Sequence, residues 1–167
     1  MNLGRNSVIA PCLLIVSALI LQILPATSDS CSAEESGSNG QTIYASGYSA
    51  ARIGERGLSL DLVSTLFVRN TDPSRPITVL SVDSYDSRGK KHRSHLKKSM
   101  NLNPLAIANF HISPQDLPEG LASSFLIKWH SKDRVAEPIV ENVMVGTRGG
   151  QGVAFVCFGK VIKNTAD

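Results

Sequence analysis

The chain has 167 residues, with 17 Lys and Arg against 14 Asp and Glu and a formal net charge of +3. This small excess of positive charge argues against nucleic-acid binding by the whole chain, which requires a strongly basic surface. Aromatic residues make up only 5% of the sequence, so a core has to be built mainly from Leu, Ile and Val. The length favours one ordinary globular domain.

The first 28 residues have the pattern of a secretory signal peptide. An apolar run at 8–24 follows a single basic residue, Arg5, and precedes a stretch of small residues. Ala26 and Ser28 supply the small side chains that precede a cut at Asp29. The alternative is an uncleaved anchor, but a membrane-spanning helix needs about 20 apolar residues. This run is shorter and contains a proline, so we predict cleavage and export.

Cys31 leaves alternatives for the exported protein. A cysteine just after a signal is lipidated in bacterial lipoproteins, although only Ser30 among the preceding residues suits that processing well. A disulfide between Cys31 and Cys157 is also open, because an even pair of cysteines in an oxidising compartment favours one. A buried thiol at Cys157 is the interpretation we prefer. We therefore predict a periplasmic or extracellular protein, with a lipid anchor through Cys31 as the alternative.

Residues 42–163 are predicted to form one β-domain, between a flexible tail at 29–41 and a short C-terminal tail at 164–167. The clearest signal lies at 58–69, where apolar side chains stand at every second position. Successive strand side chains point to opposite faces, so this alternation predicts one face on a core and one in water. Val63 and Phe67 are exceptions on the polar face.

Turn chemistry and further strands follow in chain order. The residues at 70–73 form a turn, and Pro76 begins the next strand, where its missing N–H does little harm. The other predicted strands lie at 42–49, 102–112, 121–129, 139–145 and 153–162. The last two are apolar on both faces, which is typical of strands well inside a sheet. A charged loop is predicted at 131–138 and a single helical turn at 113–120, with Ser113 as its cap.

This series of about seven to eight short strands predicts an all-β fold, an antiparallel β-sandwich of immunoglobulin or fibronectin type. A small barrel is the alternative. The motifs RNTDP at 69–73, SVDSYD at 81–86 and GTRGGQG at 146–152 occur in this order. With them the chain resembles a bacterial family of small exported proteins, domain-of-unknown-function family 3124. That resemblance implies a compact extracytoplasmic domain and supplies no activity, cofactor or catalytic residue.

The segment 88–98 is the strongest candidate for a binding surface, with six Lys or Arg, two His and no acidic residue. Its basic residues are Arg88, Lys90, Lys91, Arg93, Lys97 and Lys98. One interpretation is a hairpin that docks an anionic partner: phospholipid headgroups, lipopolysaccharide phosphates or an acidic protein. The interpretation we prefer for the charges themselves is an edge strand protected against aggregation by its lysines. Arg148 is a less certain addition to the surface.

Other motifs have simpler structural explanations. The glycines at 146–152 lack the Lys-Ser/Thr ending and the following helix of a phosphate loop, so they predict a hairpin turn. Asp83 and Asp86 project to opposite sides of a strand, which argues against paired acid–base catalysis. The residues at 86–89 are instead typical of a tight turn.

The four histidines, His92, His95, His111 and His130, do not have the spacing of a zinc site, so no metal or cofactor is predicted. We expect an exported, non-enzymatic binding or accessory module. The first alternative is a hydrolase or metal-dependent enzyme assembled from the loop residues His111, His130, Asp133 and Glu137. The second is a structural envelope subunit or homo-oligomer that forms by strand addition at an exposed edge.

Overall fold

The computed structural model describes residues 37–55, 57–117 and 121–164. Most of them form β-strands, as the alternating sequence pattern predicts. The strands are β1 (Gly37–Tyr48), β2 (Ala50–Ile53), β3 (Leu58–Asp61), β4 (Val63–Arg69), β5 (Ile77–Tyr85), β6 (Lys91–Ser94), β7 (Met100–Leu102), β8 (Ile107–Ile112), β9 (Ala122–Ala136), β10 (Ile139–Arg148), β11 (Gln151–Phe158) and β12 (Lys160–Asn164). One 3-10 turn spans Pro114–Asp116, with Ser113 as its N-cap residue.

Two antiparallel sheets face each other. The first has the order β12-β1-β9-β5-β6, and β7 pairs with the same side of β5 as β6 does. The second has the order β11-β10-β4-β8, and β2 and β3 form a separate hairpin. Every pairing between these strands is antiparallel. The predicted antiparallel β-sandwich is therefore confirmed.

Apolar side chains from both sheets meet in one core. Phe125, Ile127 and Trp129 of β9 are at most 1% exposed, as period-two alternation requires. Leu66 and Val68 of β4 face them from the second sheet and are fully buried. The alternation thus predicts the buried face correctly from Leu60 to Val68, whereas Leu58 at its start is 49% exposed.

The structure has more strands than predicted because three predicted strands are each interrupted and because β2 was not predicted. The segment 58–69 divides at Leu62, and 102–112 divides into β7 and β8. The segment 153–162 divides at Gly159, where the chain passes from the second sheet to the first. An added Cβ at Gly159 would lie 2.6 Å from Cγ2 of Ile43, so only glycine fits this corner.

Three details of the sequence prediction are wrong. The predicted charged loop at 131–138 is mostly strand, because β9 continues to Ala136 and pairs there with Gly37 of β1. The last five residues of the predicted N-terminal tail also belong to β1. Finally, the two C-terminal strands β11 and β12 lie at sheet edges, although their apolar residues suggested interior strands.

The predicted signal peptide and Cys31 lie outside the described residues. Cleavage of the signal peptide, and lipidation or disulfide formation at Cys31, therefore remain predictions. Within the residues that the structure describes, no helix is long and apolar enough to cross a membrane.

Candidate functional site

The segment 88–98, which we call the basic edge, lies along one border of the first sheet. Its strand β6 pairs with the end of β5, and all four residues of β6 are exposed. The chain then continues to β7, which pairs with the beginning of β5. The position of these charges is that of a protected edge strand, because a row of exposed cations discourages pairing with another sheet.

A tight turn at Asp86 begins the basic edge. Its Oδ1 accepts hydrogen bonds from the backbone N–H groups of Arg88 at 2.9 Å and Lys90 at 2.8 Å. Gly89 has a φ of 78°, a left-handed conformation that glycine adopts without steric cost. The backbone hydrogen bond from Lys90 is the main reason that the pKa of Asp86 lies below its usual range. The predicted turn at 86–89 is confirmed.

Lys91 is neutralised by Asp83 on the neighbouring strand. The Lys91 Nζ lies 2.9 Å from Oδ1 of Asp83, a side chain that is only 10% exposed. Ser94 also donates its hydroxyl to that oxygen at 2.7 Å. Burial acts to raise the pKa of Asp83, but the contacts with Ser94 and Lys91 outweigh burial, so the pKa is lowered. The Lys91–Asp83 ion pair therefore joins β6 to β5 at the sheet edge, and Lys91 is not a free cation for a binding partner.

Arg93 is neutralised in the same way by Asp116 of the 3-10 turn, with which it forms an ion pair. The Ser113 hydroxyl donates to the other carboxylate oxygen of Asp116 at 2.8 Å. This hydrogen bond is the main cause of the lowered pKa of Asp116, with a further contribution from Arg93. The sequence did not predict this pairing, since the two residues belong to different segments of chain.

The three remaining lysines of the basic edge, Lys90, Lys97 and Lys98, are all exposed. Among the described residues none of them has an ion-pair partner, whereas the other three cations do. These lysines are the part of the predicted surface that is available to an anion. The structure thus narrows the candidate site from six cations to three.

A groove of about 310 Å³ adjoins the basic edge, at the border where the end of β6 approaches β8. Its polar lining includes Arg93, Lys97, His111 and Asp116. His95 also lines it, and its Nε2 lies 3.0 Å from the hydroxyl of Ser84. Burial, together with the charge of Arg93, lowers the pKa of His95, so this ring is neutral near pH 7. The groove carries only a small net positive charge, because Asp116 already neutralises Arg93.

Arg148 is not part of this surface. It lies at the end of β10 in the second sheet, and its guanidinium donates to the backbone carbonyl of Ser59 at 2.6 Å. Gly149 and Gly150 follow it with φ angles of 58° and 80°. They form the two-residue turn between β10 and β11, so the predicted hairpin turn is confirmed.

The residues proposed for the enzyme alternative do not converge. His111 lies on β8 and His130 on β9, both on strands rather than loops, and they face outward from opposite sheets. Glu137 accepts a hydrogen bond from the side chain of Gln41 at 2.6 Å. Among the described residues, no group of three His, Cys, Asp or Glu side chains is close enough to hold a metal ion.

The RNTDP motif is a structural element that joins three loops. The side-chain amide of Asn70 donates to the carbonyls of Arg75 at 2.8 Å and Asn103 at 3.0 Å. Asn70 Oδ1 accepts the N–H of Asp72 at 3.1 Å, and Asp72 itself is 2% exposed. The turn predicted at 70–73 is confirmed, and it crosses from β4 in one sheet to β5 in the other.

One further surface was not predicted from the sequence, an apolar border formed by β11. Phe155, Val156 and Phe158 are 45%, 52% and 71% exposed. Two signals pointed to it: the apolar exceptions Val63 and Phe67 on the outer side of the same sheet, and a C-terminal strand that is apolar on both faces. Cys157, which we predicted to be a buried thiol, is only half-buried on β11. Cys31, its partner in the alternative disulfide, lies outside the described residues.

Comparison with known proteins adds a family but no activity. The structure is similar to a crystal structure of Thermotoga maritima 1070, with 11% sequence identity and a TM-score of 0.45. The alignment covers 78% of this chain and 99% of the Thermotoga maritima chain. At that TM-score the likeness carries no argument about function. No curated protein matches the sequence. Residues 40–162 match the family described as protein of unknown function (DUF3124), so the chain belongs to this family.

Proposed function

We propose that this protein is exported and acts as a non-enzymatic accessory module that docks on an anionic lipid surface through the basic edge. The observation that carries the proposal is the presence of three exposed lysines, Lys90, Lys97 and Lys98, that form no ion pair with a carboxylate of the described chain. Lysine is a compact, mobile point charge, which suits a surface of diffuse phosphates. The predicted signal peptide would export the protein to a compartment in which it meets such a surface.

A lipid surface is favoured over an acidic protein by the shape of the site. The lysines stand on an exposed sheet border and two flanking turns, and β6 offers no apolar side chain to anchor a protein partner. Each basic residue near an anionic membrane contributes about 1 kcal/mol. Three lysines therefore contribute roughly 3 kcal/mol, or about a 100-fold increase in partitioning at low salt.

Cosedimentation with vesicles tests this proposal. The protein is expected to bind vesicles of phosphatidylglycerol and phosphatidylcholine, and not vesicles of phosphatidylcholine alone. Binding should weaken strongly between about 50 mM and 500 mM NaCl, because salt screens exposed charges. The variant K90Q/K97Q/K98Q should lose most of the binding while its Asp83 and Asp116 ion pairs stay intact.

A matched variant separates a local site from net charge. K132Q/K160Q/K163Q removes the same number of exposed cations from β9 and β12, away from the basic edge. It is expected to bind nearly as well as the unmodified protein. Equal losses of vesicle binding in the two variants would show that binding depends on net charge and not on the basic edge. No binding to anionic vesicles by the unmodified protein would exclude the lipid surface and leave an acidic protein as the partner.

A further inference from the structure

The border of the second sheet at β11 is built differently from the basic edge. β11 pairs on one side with β10 and has no strand on its other side among the described residues. It carries no charged residue and no proline, and it exposes Phe155, Val156 and Phe158. Free edges of this kind pair readily with other strands, and proteins usually block them with lysine, proline or a bulge. This chain blocks β6 and leaves β11 open.

The backbone of β11 is ready for one more strand. Gly149 and Gly150 form a two-residue turn, so the flanking Arg148 and Gln151 are a hydrogen-bonded pair of the β10–β11 ladder. Alternation along an antiparallel ladder then directs the N–H and C=O groups of every second residue outward. The outward set is Gly152, Ala154, Val156 and Phe158.

An apolar cleft opens beneath the same border. It has a volume of about 350 Å³ and is lined by Tyr48, Leu62, Phe155 and Cys157, among others. The small core cluster of Leu60, Leu62 and Met144 lies beside it. The core at this end of the sandwich is therefore left open toward the free edge of β11, and a neighbour on that edge would cover it.

We propose that β11 is the interface of a homodimer, in which two copies pair their β11 strands antiparallel about a two-fold axis at Phe155. This register opposes Ala154 to Val156 of the second copy and Gly152 to its Phe158, so all outward backbone groups find partners. Each residue is opposed by one whose side chain lies on the same face of its own sheet. Both sandwiches therefore lie on the same side of one continuous eight-stranded sheet. The two Phe155 side chains then lie next to each other over the cleft.

Charge and area favour a second copy as the occupant. The chain is basic overall, but β11 has no charge, so two copies approach there without repulsion between close cations. With roughly 200 Å² for a phenylalanine side chain, the exposed fractions of Phe155 and Phe158 leave about 230 Å² of ring surface in water. Adding Val156 and the strand backbone, two copies would bury at most roughly 1,000 Å², which is in the range of weak interfaces. The dimer is therefore expected to be weak, with a micromolar dissociation constant.

Sedimentation velocity across a concentration range tests the dimer. The purified protein should shift to twice its monomer mass between about 1 and 200 µM, as a micromolar constant requires. Val156→Pro removes an N–H that faces the free edge and is not needed by β10, so it should raise the dissociation constant at least tenfold. Val156→Lys is a second variant with less effect on the backbone and should act in the same direction.

Ile107→Lys is the matched control, since Ile107 is 49% exposed on β8, the opposite border of the same sheet. It should leave the dimer unchanged. A monomer at every concentration would overturn the proposal and leave the edge for a strand of another protein. Equal weakening by the substitutions at Val156 and Ile107 would also overturn it.

The register has its own readout in a disulfide test. In a background with Cys12, Cys31 and Cys157 replaced by Ser, Phe155→Cys should form an interchain disulfide on mild oxidation. Opposed strand residues have Cα atoms at about 4.5–5.5 Å, which lies within disulfide range. Asn109→Cys on β8 is the control and should remain a thiol. Equal crosslinking at both positions would reduce the contact to random collision and overturn the proposed register.

Discussion

The carboxylate of Asp72 holds together two parts of the chain that are 64 residues apart, because its Oδ2 accepts the backbone N–H of Ala136 at 3.2 Å. Its Oδ1 accepts the N–H groups of Ser74 at 2.9 Å and Arg75 at 2.8 Å. Asp72 thus ties the crossover between the two sheets to the end of β9. The RNTDP motif is explained by this network rather than by catalysis.

Replacing this carboxylate should destabilise the whole sandwich. Asp72→Asn keeps the size of the side chain, but its NH₂ group cannot accept the hydrogen bonds that one carboxylate oxygen now accepts. We expect the Tm to fall by roughly 5–10 °C, since loss of a buried network is one of the larger single-site effects. Asp133→Asn, at an exposed position of β9, is the control and should shift the Tm by less than about 2 °C. Similar melting curves for both variants would contradict the structural role of Asp72.

The same carboxylate predicts a specific acid sensitivity. The hydrogen bond from the N–H of Ser74 is the main cause that lowers the pKa of Asp72 from 3.8 to about 2. The unfolded chain therefore binds the proton more tightly, and stability is lost as the pH falls from 3.8 toward 2. Urea midpoints measured across this window should decline more steeply for the unmodified protein than for Asp72→Asn. Equal slopes would show that other carboxylates dominate.

His95 predicts a second pH effect in a different window. Burial lowers its pKa below 6.5, so protonation is easier in the unfolded chain. Stability should therefore be full at neutral pH and decrease as the pH falls below about 6.5. His95→Gln should remove that decrease between about pH 7 and 5, whereas His92→Gln on the exposed face of β6 should not. An NMR titration that places the pKa of His95 above 6.5 would contradict this prediction.

The two neighbouring lysines of the basic edge should differ in their effects on stability. Lys91→Gln removes the ion pair of the buried Asp83, while Lys90 forms no ion pair with a carboxylate among the described residues. Because Lys91 is itself 52% exposed, the loss in free energy of unfolding should be only about 0.5–1 kcal/mol. Lys90→Gln should change it by less than about 0.3 kcal/mol. The test is urea denaturation of both variants. When Asp83→Asn is already present, Lys91→Gln and Lys90→Gln should have equal effects on the free energy of unfolding.

The glycine at the corner between β11 and β12 should not tolerate a larger residue. A Cβ at Gly159 would approach Cγ2 of Ile43 at 2.6 Å and Cβ of Val140 at 3.1 Å. Gly159→Ala should therefore lower the free energy of unfolding by about 1–3 kcal/mol through overpacking. Gly152→Ala is the control, since its nearest neighbour is 3.9 Å away. Denaturation at low protein concentration distinguishes the two, and a neutral Gly159→Ala would show that the corner relaxes.

Local signals in the sequence determined most of the strands, their buried faces and most turns. The alternation at 58–69 identified Leu62, Leu66 and Val68 as core residues, because side-chain direction along a strand depends only on neighbouring residues. The turns at Asp86 and at Gly149 were recognisable for the same reason, since their hydrogen bonds and φ angles are local. The exposed cations of the basic edge were equally visible in the sequence.

The tertiary structure alone decided which strands are edges and which charges are free. Strand order depends on pairing between distant segments, so the apolar β11 was predicted inside a sheet and lies at its border. Likewise, neutralisation of Arg93 by Asp116 requires the 3-10 turn to fold next to β6. Composition gives the number of charges and apolar residues, but only long-range packing decides which of them still face water.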